Sequence, residues 1–188
     1  VVTDEIAERV MHEVIRPTVD GMAAEGNPYT GFLYAGLMID STGTPKVLEY
    51  NCRFGDPETQ PIMMRLESDL VQHCLAALDG KLNDEQADWN QQTALGVVLA
   101  ANGYPDSYAK NEAINNLPQD EPALKVFHAG TTLDEQQQLR SNGGRVLCVV
   151  GLGDTVTKAQ LKAYNGVDEI DWAGSYFRRD IGFKAIKS

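Results

Sequence analysis

The segment KVLEYNCR, residues 46–53, carries polar side chains that could act together on one substrate. Glu49, Asn51 and Arg53 stand two residues apart, and side chains at this spacing on a β-strand project from the same face. A carboxylate and an amide oxygen are ligands that Mg²⁺ accepts while keeping room for phosphate oxygens. A guanidinium fork suits a phosphate or a carboxylate. The spacing therefore predicts a site for a cation and a phosphate on one face of an extended strand.

The same pattern has a simpler interpretation. A sheet with one solvent-facing side also alternates polar and apolar residues. Glu49 and Arg53 could then form a surface ion pair that contributes little energy. Spacing alone leaves both interpretations open.

Two further acids, Asp56 and Glu58, follow this strand on either side of Pro57. They could orient the loop or receive an amine substrate. An Asp-Pro turn followed by a helix that begins at Glu58 accounts for the same residues without any substrate. Both explanations stay open.

Hydrophobic periodicity predicts helices and a hairpin around these groups. A first helix, capped by Thr3 or Asp4, should run to about Ala24 with a kink or restart at Pro17. Two strand-like runs on either side of a Gly and Pro turn predict the hairpin, and a helix-rich stretch with a restart near Ser68 follows. The two strand-like runs cover residues 31–40 and 46–52, and the helix-rich stretch covers residues 61–78.

The polar stretch 81–92 is the best candidate for a linker, and it predicts two domains, 1–90 and 91–188. Beyond it, apolar runs predict three strands and one helix, which indicates a compact α+β domain with an antiparallel sheet. The strands are expected at residues 93–101, about 124–129 and 145–151, and the helix at about 155–164.

Composition excludes several classes of protein. The chain has 188 residues and a formal net charge of -11, so its field should repel polyanions, and nucleic acid is not expected as a partner. No run approaches the roughly 18 apolar residues that a membrane span needs, and no basic leader opens the chain, which favours a cytoplasmic protein without a membrane partner. Three separated cysteines predict neither a disulfide framework nor a zinc site. The helix at the start, without an initiator Met, suggests a fragment.

Five stretches resemble the C-terminal part of the glycinamide ribonucleotide synthetases, which are phosphoribosylamine-glycine ligases of the ATP-grasp superfamily. They are YTGFLYAGLMID, KVLEYNCRFGDPETQPIMMRLESDL, TALGVVLAANGYP, KVFHAGT and SNGGRVLCVVGLGDTV. The resemblance implies an α+β fold in which the C-terminal part of an ATP-grasp domain, an antiparallel sheet with helices, precedes a small α+β C-terminal domain with an antiparallel sheet.

The resemblance also implies chemistry. Glu49 and Asn51 match the family's ligands for Mg²⁺ or Mn²⁺ on the phosphates of ATP, and Arg53 matches an arginine near the transferred phosphoryl group. The implied substrates are ATP, glycine and phosphoribosylamine, and the implied partner is the N-terminal part of the same enzyme, without which no ligation is expected. Many relatives have a further acidic ligand on the preceding strand, but GFLYAGLMI has none before Asp40, which leaves a second metal in doubt.

Four residues of the second half are further candidates for substrate binding. His128 could face the substrate, Gly130 and Thr131 offer backbone and hydroxyl donors suited to a ribose phosphate, and Arg145 could contact a phosphate. A structural histidine and a hairpin turn at 142–144 are the simpler alternatives. The stretch GLGD at 151–154 is a weak dinucleotide motif and is interpreted as a strand-to-helix turn capped by Asp154 or Thr155.

Two other functions stay open. One is a binding or interaction domain that keeps the architecture without catalysis. The other is a different ATP-grasp enzyme, either another amine ligase or a carboxylase.

Overall fold

The computed structural model describes residues 2–186, which form two compact units. The first unit contains the residues up to Asp56 together with Asp69–Ala87, and the second contains Pro57–Ser68 together with the residues from Asp88 onward. Helices and antiparallel sheets occur in both parts of the sequence, so the predicted α+β class is confirmed. The domain division at residue 90 stays a prediction.

The first unit holds α1 and α2, joined by a π-helical turn, then a hairpin and α4. Their bounds are Asp4–Val10 for α1, Met11–Ile15 for the π turn, Arg16–Ala24 for α2, Tyr34–Ile39 for β1, Pro45–Asn51 for β2, and Leu70–Leu78 for α4, with a 3-10 turn at Leu82–Asp84. The second unit holds α3 at Thr59–Arg65, β3 at Thr93–Ala101, β4 at Leu124–His128, β5 at Thr131–Leu133, β6 at Leu139–Ser141, β7 at Arg145–Gly153, α5 at Val156–Glu169, β8 at Ser175–Tyr176 and α6 at Phe183–Ile186.

The first helical segment begins and ends where the sequence predicts. Thr3 caps it, and its side chain accepts a hydrogen bond from the backbone N–H of Ile6 at 3.3 Å. Pro17 has no N–H to donate to the carbonyl of Glu13, and its ring crowds that carbonyl, so the helix widens into the π turn just before it. The predicted irregularity at Pro17 is therefore a wider turn within a continuous helical segment.

The predicted hairpin is confirmed, with Gly36 opposite Glu49 and a bulge between Gly36 and Leu37. The helical segment contacts it through hydrogen bonds at two points. Arg9 Nη1 donates to the carbonyl of Gly43 at 2.7 Å, and the hydroxyls of Thr18 and Tyr50 lie 2.7 Å apart. These contacts position β2, which carries the polar side chains, against the helices.

The hairpin turn is organised by Asp40. One of its carboxylate oxygens accepts hydrogen bonds from the hydroxyl and the N–H of Thr42, at 2.6 Å and 2.9 Å, and from the N–H of Thr44 at 3.0 Å. The other oxygen lies 3.3 Å from Lys46 Nζ. The hydrogen bond from the Thr42 hydroxyl and then those from the backbone favour the charged form, so they hold the pKa of Asp40 well below its ordinary value.

We expect Asp40 to remain ionised at pH values where an unperturbed aspartate, with a pKa of about 3.9, is already half protonated. A depressed pKa contributes stability that is present above the unfolded pKa and is lost as the pH falls through the folded pKa. Carbon-13 NMR of the carboxyl carbon during an acid titration measures this directly. A carboxyl group that titrates at its ordinary value would contradict the geometry of the turn.

The predicted helix-rich stretch 61–78 is divided into α3 and α4. The chain is extended at Leu66, and Asp69 restarts the helix because its side chain accepts the N–H of Val71 at 2.8 Å. The predicted restart near Ser68 is therefore confirmed within one residue. The two helices belong to different units.

The core of the second unit lies between α5 and an antiparallel sheet of order β4-β7-β3-β8. Alternate residues of β3, namely Leu95, Val97 and Leu99, are buried toward the small residues Ala159 and Ala163 of α5. The intervening Gly96 belongs to the other face, where an added Cβ would lie 3.0 Å from Pro61 of α3. The sheet is thus covered on both faces within this unit.

Two features differ from the sequence-based expectations. The strands β5 and β6 form a small antiparallel hairpin that periodicity does not predict. Residues 142–144 connect β6 to β7, which pair with different strands, so the interpretation of this stretch as a hairpin turn is wrong. Within residues 2–186, no helix has the length and apolar character needed to cross a membrane.

Candidate functional site

The polar row, which we define as Glu49, Asn51 and Arg53, is brought together as the sequence predicts. Asn51 Nδ2 donates to Glu49 Oε1 at 3.2 Å, and Arg53 Nη2 donates to Asn51 Oδ1 at 3.3 Å. Glu49 and Arg53 are exposed, and Asn51 is half-buried. β2 ends at Asn51 and the chain bends at Cys52 and Arg53, and the acid, the amide and the guanidinium nevertheless lie side by side.

Arg53 is held by its surroundings. Its Nη1 donates to the carbonyl of the next residue, Phe54, at 2.8 Å. The ring of Phe54 in turn packs against Phe32, with the ring centroids 4.1 Å apart. The guanidinium therefore has a defined position beside the amide of Asn51.

The side-chain oxygens of the polar row are suitable ligands for Mg²⁺ or Mn²⁺. Among residues 2–186, no cluster of three or more His, Cys, Asp or Glu side chains is placed to hold a metal. Mg²⁺ commonly uses only one or two carboxylates and takes its other ligands from water and substrate phosphates. Glu49 and the oxygen of Asn51 supply such a partial set, provided that Arg53 gives up its 3.3 Å contact with that oxygen.

Asp56 and Glu58 have different local settings. Asp56 is exposed in the loop after Gly55. Glu58 occupies the N-cap position of α3, where its side chain makes no capping hydrogen bond while its carbonyl accepts from the N–H of Ile62 at 3.2 Å. The interpretation of Glu58 as a helix start therefore agrees with the fold, and a role for either acid in substrate binding stays a prediction.

His128, Gly130 and Thr131 lie together at the ends of β4 and β5. His128 Nδ1 and the hydroxyl of Thr131 are 3.2 Å apart. The N–H of Gly130 donates to the carbonyl of Arg145 at 3.0 Å, and the N–H of Thr131 donates to Ala129 at 2.9 Å. The fold therefore already uses the backbone N–H of Gly130 that was expected to serve a ribose phosphate, and a role for the hydroxyl of Thr131 stays a prediction.

Close packing of the backbone explains why position 130 is a glycine. A Cβ there would lie 2.6 Å from the Cα of Gly143 and 2.8 Å from the carbonyl oxygen of Arg145. Only a residue without a side chain lets these two backbones approach so closely. The imidazole of His128 and the hydroxyl of Thr131 remain available as side-chain candidates.

Arg145 lies at a cavity of about 230 Å³ in the second unit, together with a second arginine, Arg178. Its guanidinium carbon is 5.8 Å from the ring centroid of Tyr104. Sequence reasoning selected Arg145 but missed Arg178 and Tyr104. The one signal for Arg178 was its place in the run YFRRD of an acidic chain.

Models of one family match most of the chain. The ATP-grasp (A) domain of phosphoribosylglycinamide synthetase matches residues 1–59, and the C domain of the same family matches residues 94–184. The first match contains the polar row, and the second contains Arg145 and Arg178. The resemblance that the sequence motifs indicate is confirmed.

Curated relatives agree over the whole chain. The phosphoribosylamine-glycine ligase of Vibrio cholerae is 63% identical over 99% of this chain and 43% of its own length. The ligase of Salmonella typhimurium is 58% identical over 100% of this chain and 44% of its own length. The chain therefore spans less than half the length of the curated relatives it matches.

Solved structures show the same relationship. The crystal structure of the phosphoribosylamine-glycine ligase of Thermotoga maritima has a TM-score of 0.83 and 37% identity, covering 97% of this chain and 44% of that one. The biotin carboxylase subunit of pyruvate carboxylase, with a TM-score of 0.59 over 87% of this chain and 38% of that one, is only 17% identical and shows the fold alone. By both domain matches and by its identity to these ligases, the chain belongs to the phosphoribosylglycinamide synthetase family of ATP-grasp proteins.

Proposed function

We propose that the chain is part of an ATP-dependent ligase that joins glycine to 5-phosphoribosylamine and gives glycinamide ribonucleotide, ADP and phosphate. The polar row carries this proposal, because an acid, an amide and a guanidinium lie within hydrogen-bonding distance of one another along β2 and the residue pair after it. The identity to ligases of this name supports the choice of glycine and phosphoribosylamine as substrates.

The proposed reaction has two steps. A carboxylate oxygen of glycine attacks the terminal phosphorus of ATP, and the new O–P bond forms as the bond to ADP breaks, which gives glycyl phosphate. The amino group of phosphoribosylamine then attacks the carbonyl carbon, phosphate departs with the electrons of the C–O bond, and the nitrogen releases a proton to water. Anionic partners must meet in the first step, so positioning and charge neutralisation supply most of the catalysis.

The residues of the polar row have separate roles in this proposal. Glu49 and Asn51 hold Mg²⁺ or Mn²⁺, which when bound neutralises the phosphate charge of ATP. Arg53 places a fixed cation where negative charge develops on the transferred phosphoryl group. The carbonyl of Phe54 holds the guanidinium through Nη1, so Arg53 keeps this contact when its Nη2 releases the oxygen of Asn51 to the metal.

The other candidates act on the amine substrate in this proposal. Asp56 and Glu58 receive its amino group, while His128, Thr131 and Arg145 contact its ribosyl phosphate part. We also propose that the segment works together with the remaining part of the ligase, in the cytoplasm, on small molecules and without nucleic acid.

The complete ligase that contains this chain is expected to form ADP at its full rate only with glycine, phosphoribosylamine and a divalent cation together. Alanine in place of glycine should lower kcat/KM by about 10- to 200-fold, because one additional carbon has to be accommodated in the glycine site. A coupled assay for ADP measures both effects. Faster turnover with bicarbonate would assign a carboxylase instead, and an absence of ADP under all conditions would favour a non-catalytic binding domain.

A further inference from the structure

The second unit contains a further cavity where the end of α3 meets the start of β3. We call it the Trp89 pocket; its volume is about 290 Å³, and its polar and aromatic wall consists of Arg65, Trp89, Gln91 and Gln92. The remaining wall comes from residues of α3 and of the start of β3. None of the candidate residues of the proposed function lines this pocket, so it needs an explanation of its own.

Residues 88–92 are held against the end of α3 by hydrogen bonds. The N–H of Asn90 donates to the carbonyl of Arg65 at 2.7 Å, and its side-chain amide donates to a carboxylate oxygen of Glu67 at 3.0 Å. The N–H of Glu67 in turn donates to the carbonyl of Asp88 at 2.9 Å. This part of the predicted linker is therefore a fixed wall, and the pocket exists before any ligand binds.

Arg65 brings a positive charge without a counterion to this wall. Its Nε and Nη2 both donate to the carbonyl oxygen of Asn90, at 3.1 Å and 3.0 Å, which positions the guanidinium but leaves its charge uncompensated. Within residues 2–186 no carboxylate forms an ion pair with Arg65, and no Asp or Glu is among the described residues that line the pocket. Charges below the surface are normally paired, so a half-buried guanidinium with a neutral partner favours an anion here.

Trp89 supplies an exposed aromatic ring. Tryptophan is a highly buried residue on average, yet Trp89 is 41% exposed, and its backbone is fixed by an antiparallel bridge to Leu66. The other tryptophan of the chain, Trp172, is only 4% exposed and donates its indole N–H to Glu112 at 3.1 Å. An exposed indole in the wall of a preformed pocket offers a flat surface on which a planar ring can stack.

The two glutamines present hydrogen-bond acceptors beside this ring. Nε2 of Gln91 donates to the carbonyl of Trp89 at 3.1 Å, and Nε2 of Gln92 donates to Asp154 Oδ1 at 3.1 Å. Each amide is therefore oriented through its nitrogen, and its oxygen can still accept a hydrogen bond. Amide side chains recognise the exocyclic amino group of adenine in this way.

We infer that the Trp89 pocket binds an adenine mononucleotide such as AMP. The phosphate contacts the guanidinium of Arg65, and the base stacks on Trp89. The amino group of the base donates to the amide oxygens of Gln91 and Gln92. The volume is close to the lower limit of about 300 Å³ for small-molecule sites, which suits one mononucleotide better than a dinucleotide. This site is additional to the place where the proposed ligase uses ATP, because no residue of the polar row lines it.

Calorimetric titration of the chain with AMP, in buffer that contains EDTA, tests this inference. We expect AMP to bind and to quench the emission of Trp89, the exposed one of the two tryptophans. Adenosine lacks the phosphate, and inosine monophosphate has an oxygen in place of the amino group, so both should bind at least about 10-fold more weakly. EDTA should leave the affinity unchanged, since Arg65 and not a metal meets the phosphate.

Two variants separate the phosphate contact from the stacking contact. Arg65→Gln should weaken AMP by about 10- to 100-fold and leave adenosine unchanged, because only the charge-assisted contact is lost. Trp89→Leu should weaken both ligands by about 5- to 150-fold, the usual effect of losing one base-stacking partner. The matched control is Arg179→Gln, since Arg179 pairs with Asp168 at 2.8 Å and does not line the pocket.

Three results would overturn the inference. The first is equal affinity for AMP and adenosine in the parent chain. The second is unchanged AMP binding in either folded variant, Arg65→Gln or Trp89→Leu. The third is AMP binding that requires Mg²⁺, which would assign the nucleotide to the polar row instead. The inference does not rest on the proposed function, because each of these measurements follows binding without any ligation of glycine.

Discussion

The variant Glu49→Gln is expected to lower the kcat of the complete ligase by about 100- to 1,000-fold, the usual cost of losing one electrostatic contact to a reacting phosphoryl or acyl group. Glutamine keeps the length of the side chain and can still accept a hydrogen bond from Asn51. It removes the negative oxygen, however, and Mg²⁺ prefers carboxylate oxygens. The Mg²⁺ concentration for half-maximal activity should therefore rise together with the loss of kcat.

Stability should be unaffected, since Glu49 is exposed and surface substitutions usually change the free energy of unfolding by about 0.5 kcal/mol or less. The matched control is Glu25→Gln, which removes one exposed carboxylate from the end of the first helical segment. It should keep the activity of the parent. Steady-state assays at a series of Mg²⁺ concentrations, with circular dichroism to confirm folding, make the comparison. A Glu49→Gln variant with the activity and metal dependence of the parent would remove the polar row from the proposed chemistry.

The placement of Glu49 beside Asn51 was predictable because both residues lie on one strand. Side chains of an extended segment alternate between faces whatever the strand pairs with, so the spacing of Glu49 and Asn51 was sufficient, whereas Arg53 lies beyond β2, where the chain bends. The extra residue of the bulge is Leu48 of β2, since Gly36 lies opposite Glu49 and Leu37 opposite Val47, but it precedes Glu49 and leaves the alternation from Glu49 to Asn51 intact. The strand 93–101 was found with its observed bounds for a similar reason, since it is a continuous apolar run ending at a turn.

The cavity lined by Arg145 and Arg178 was not predictable from the same sequence. It requires β8 to pair with β3, through Ala100 opposite Tyr176 and Ala101 opposite Ser175, which brings Arg178 toward Arg145 from 33 positions away in the chain. A two-residue strand has too few residues to show any period, and pairing between distant segments leaves no local pattern. The order of the strands in the sheet could not be predicted from the sequence for the same reason.

The start of α5 was predicted correctly, but its end was not. Its start was predicted, and Thr155 caps it by accepting the N–H of Lys158 at 3.2 Å. Its end was placed at about residue 164, whereas α5 continues to Glu169. Asn165-Gly166 favours a stop locally, but Gly166 is buried beside Leu124 and Val149, where the absence of a side chain permits close packing. Tertiary contact here outweighs the low helix propensity of glycine.

Close packing also explains the two glycines of GLGD at 151–154. In a dinucleotide-binding motif, such glycines would instead make room for a ligand. An added Cβ at Gly151 would lie 2.6 Å from the carbonyl oxygen of Ala159 and 2.6 Å from the nitrogen of Ala163, and one at Gly153 would lie 2.5 Å from the nitrogen of Ala159. All three atoms belong to the backbone of α5, which cannot rotate away as a side chain can. The two glycines therefore let α5 pack directly on β7.

Gly151→Ala is accordingly expected to lower the free energy of unfolding by about 2–3 kcal/mol, because the added methyl must push α5 and β7 apart in a closely packed core. For a chain of this size, that corresponds to a fall in Tm of roughly 4–12 °C, measurable by calorimetry. The control is Gly21→Ala, since Gly21 lies within α2 and nothing is within 4 Å of its added Cβ. That variant should gain about 0.5–1 kcal/mol, because alanine favours a helix more than glycine does.

The sign of the difference between the two variants distinguishes packing from flexibility. If Gly151 had no packing role, alanine would fit its ordinary backbone conformation and would reduce the entropy of the unfolded chain, so Gly151→Ala would be neutral or stabilising. Contact with the backbone of α5 predicts the opposite sign for Gly151→Ala alone. A Gly151→Ala variant as stable as the parent would mean that α5 can move off β7 at no cost, and its close approach would then not explain the glycine.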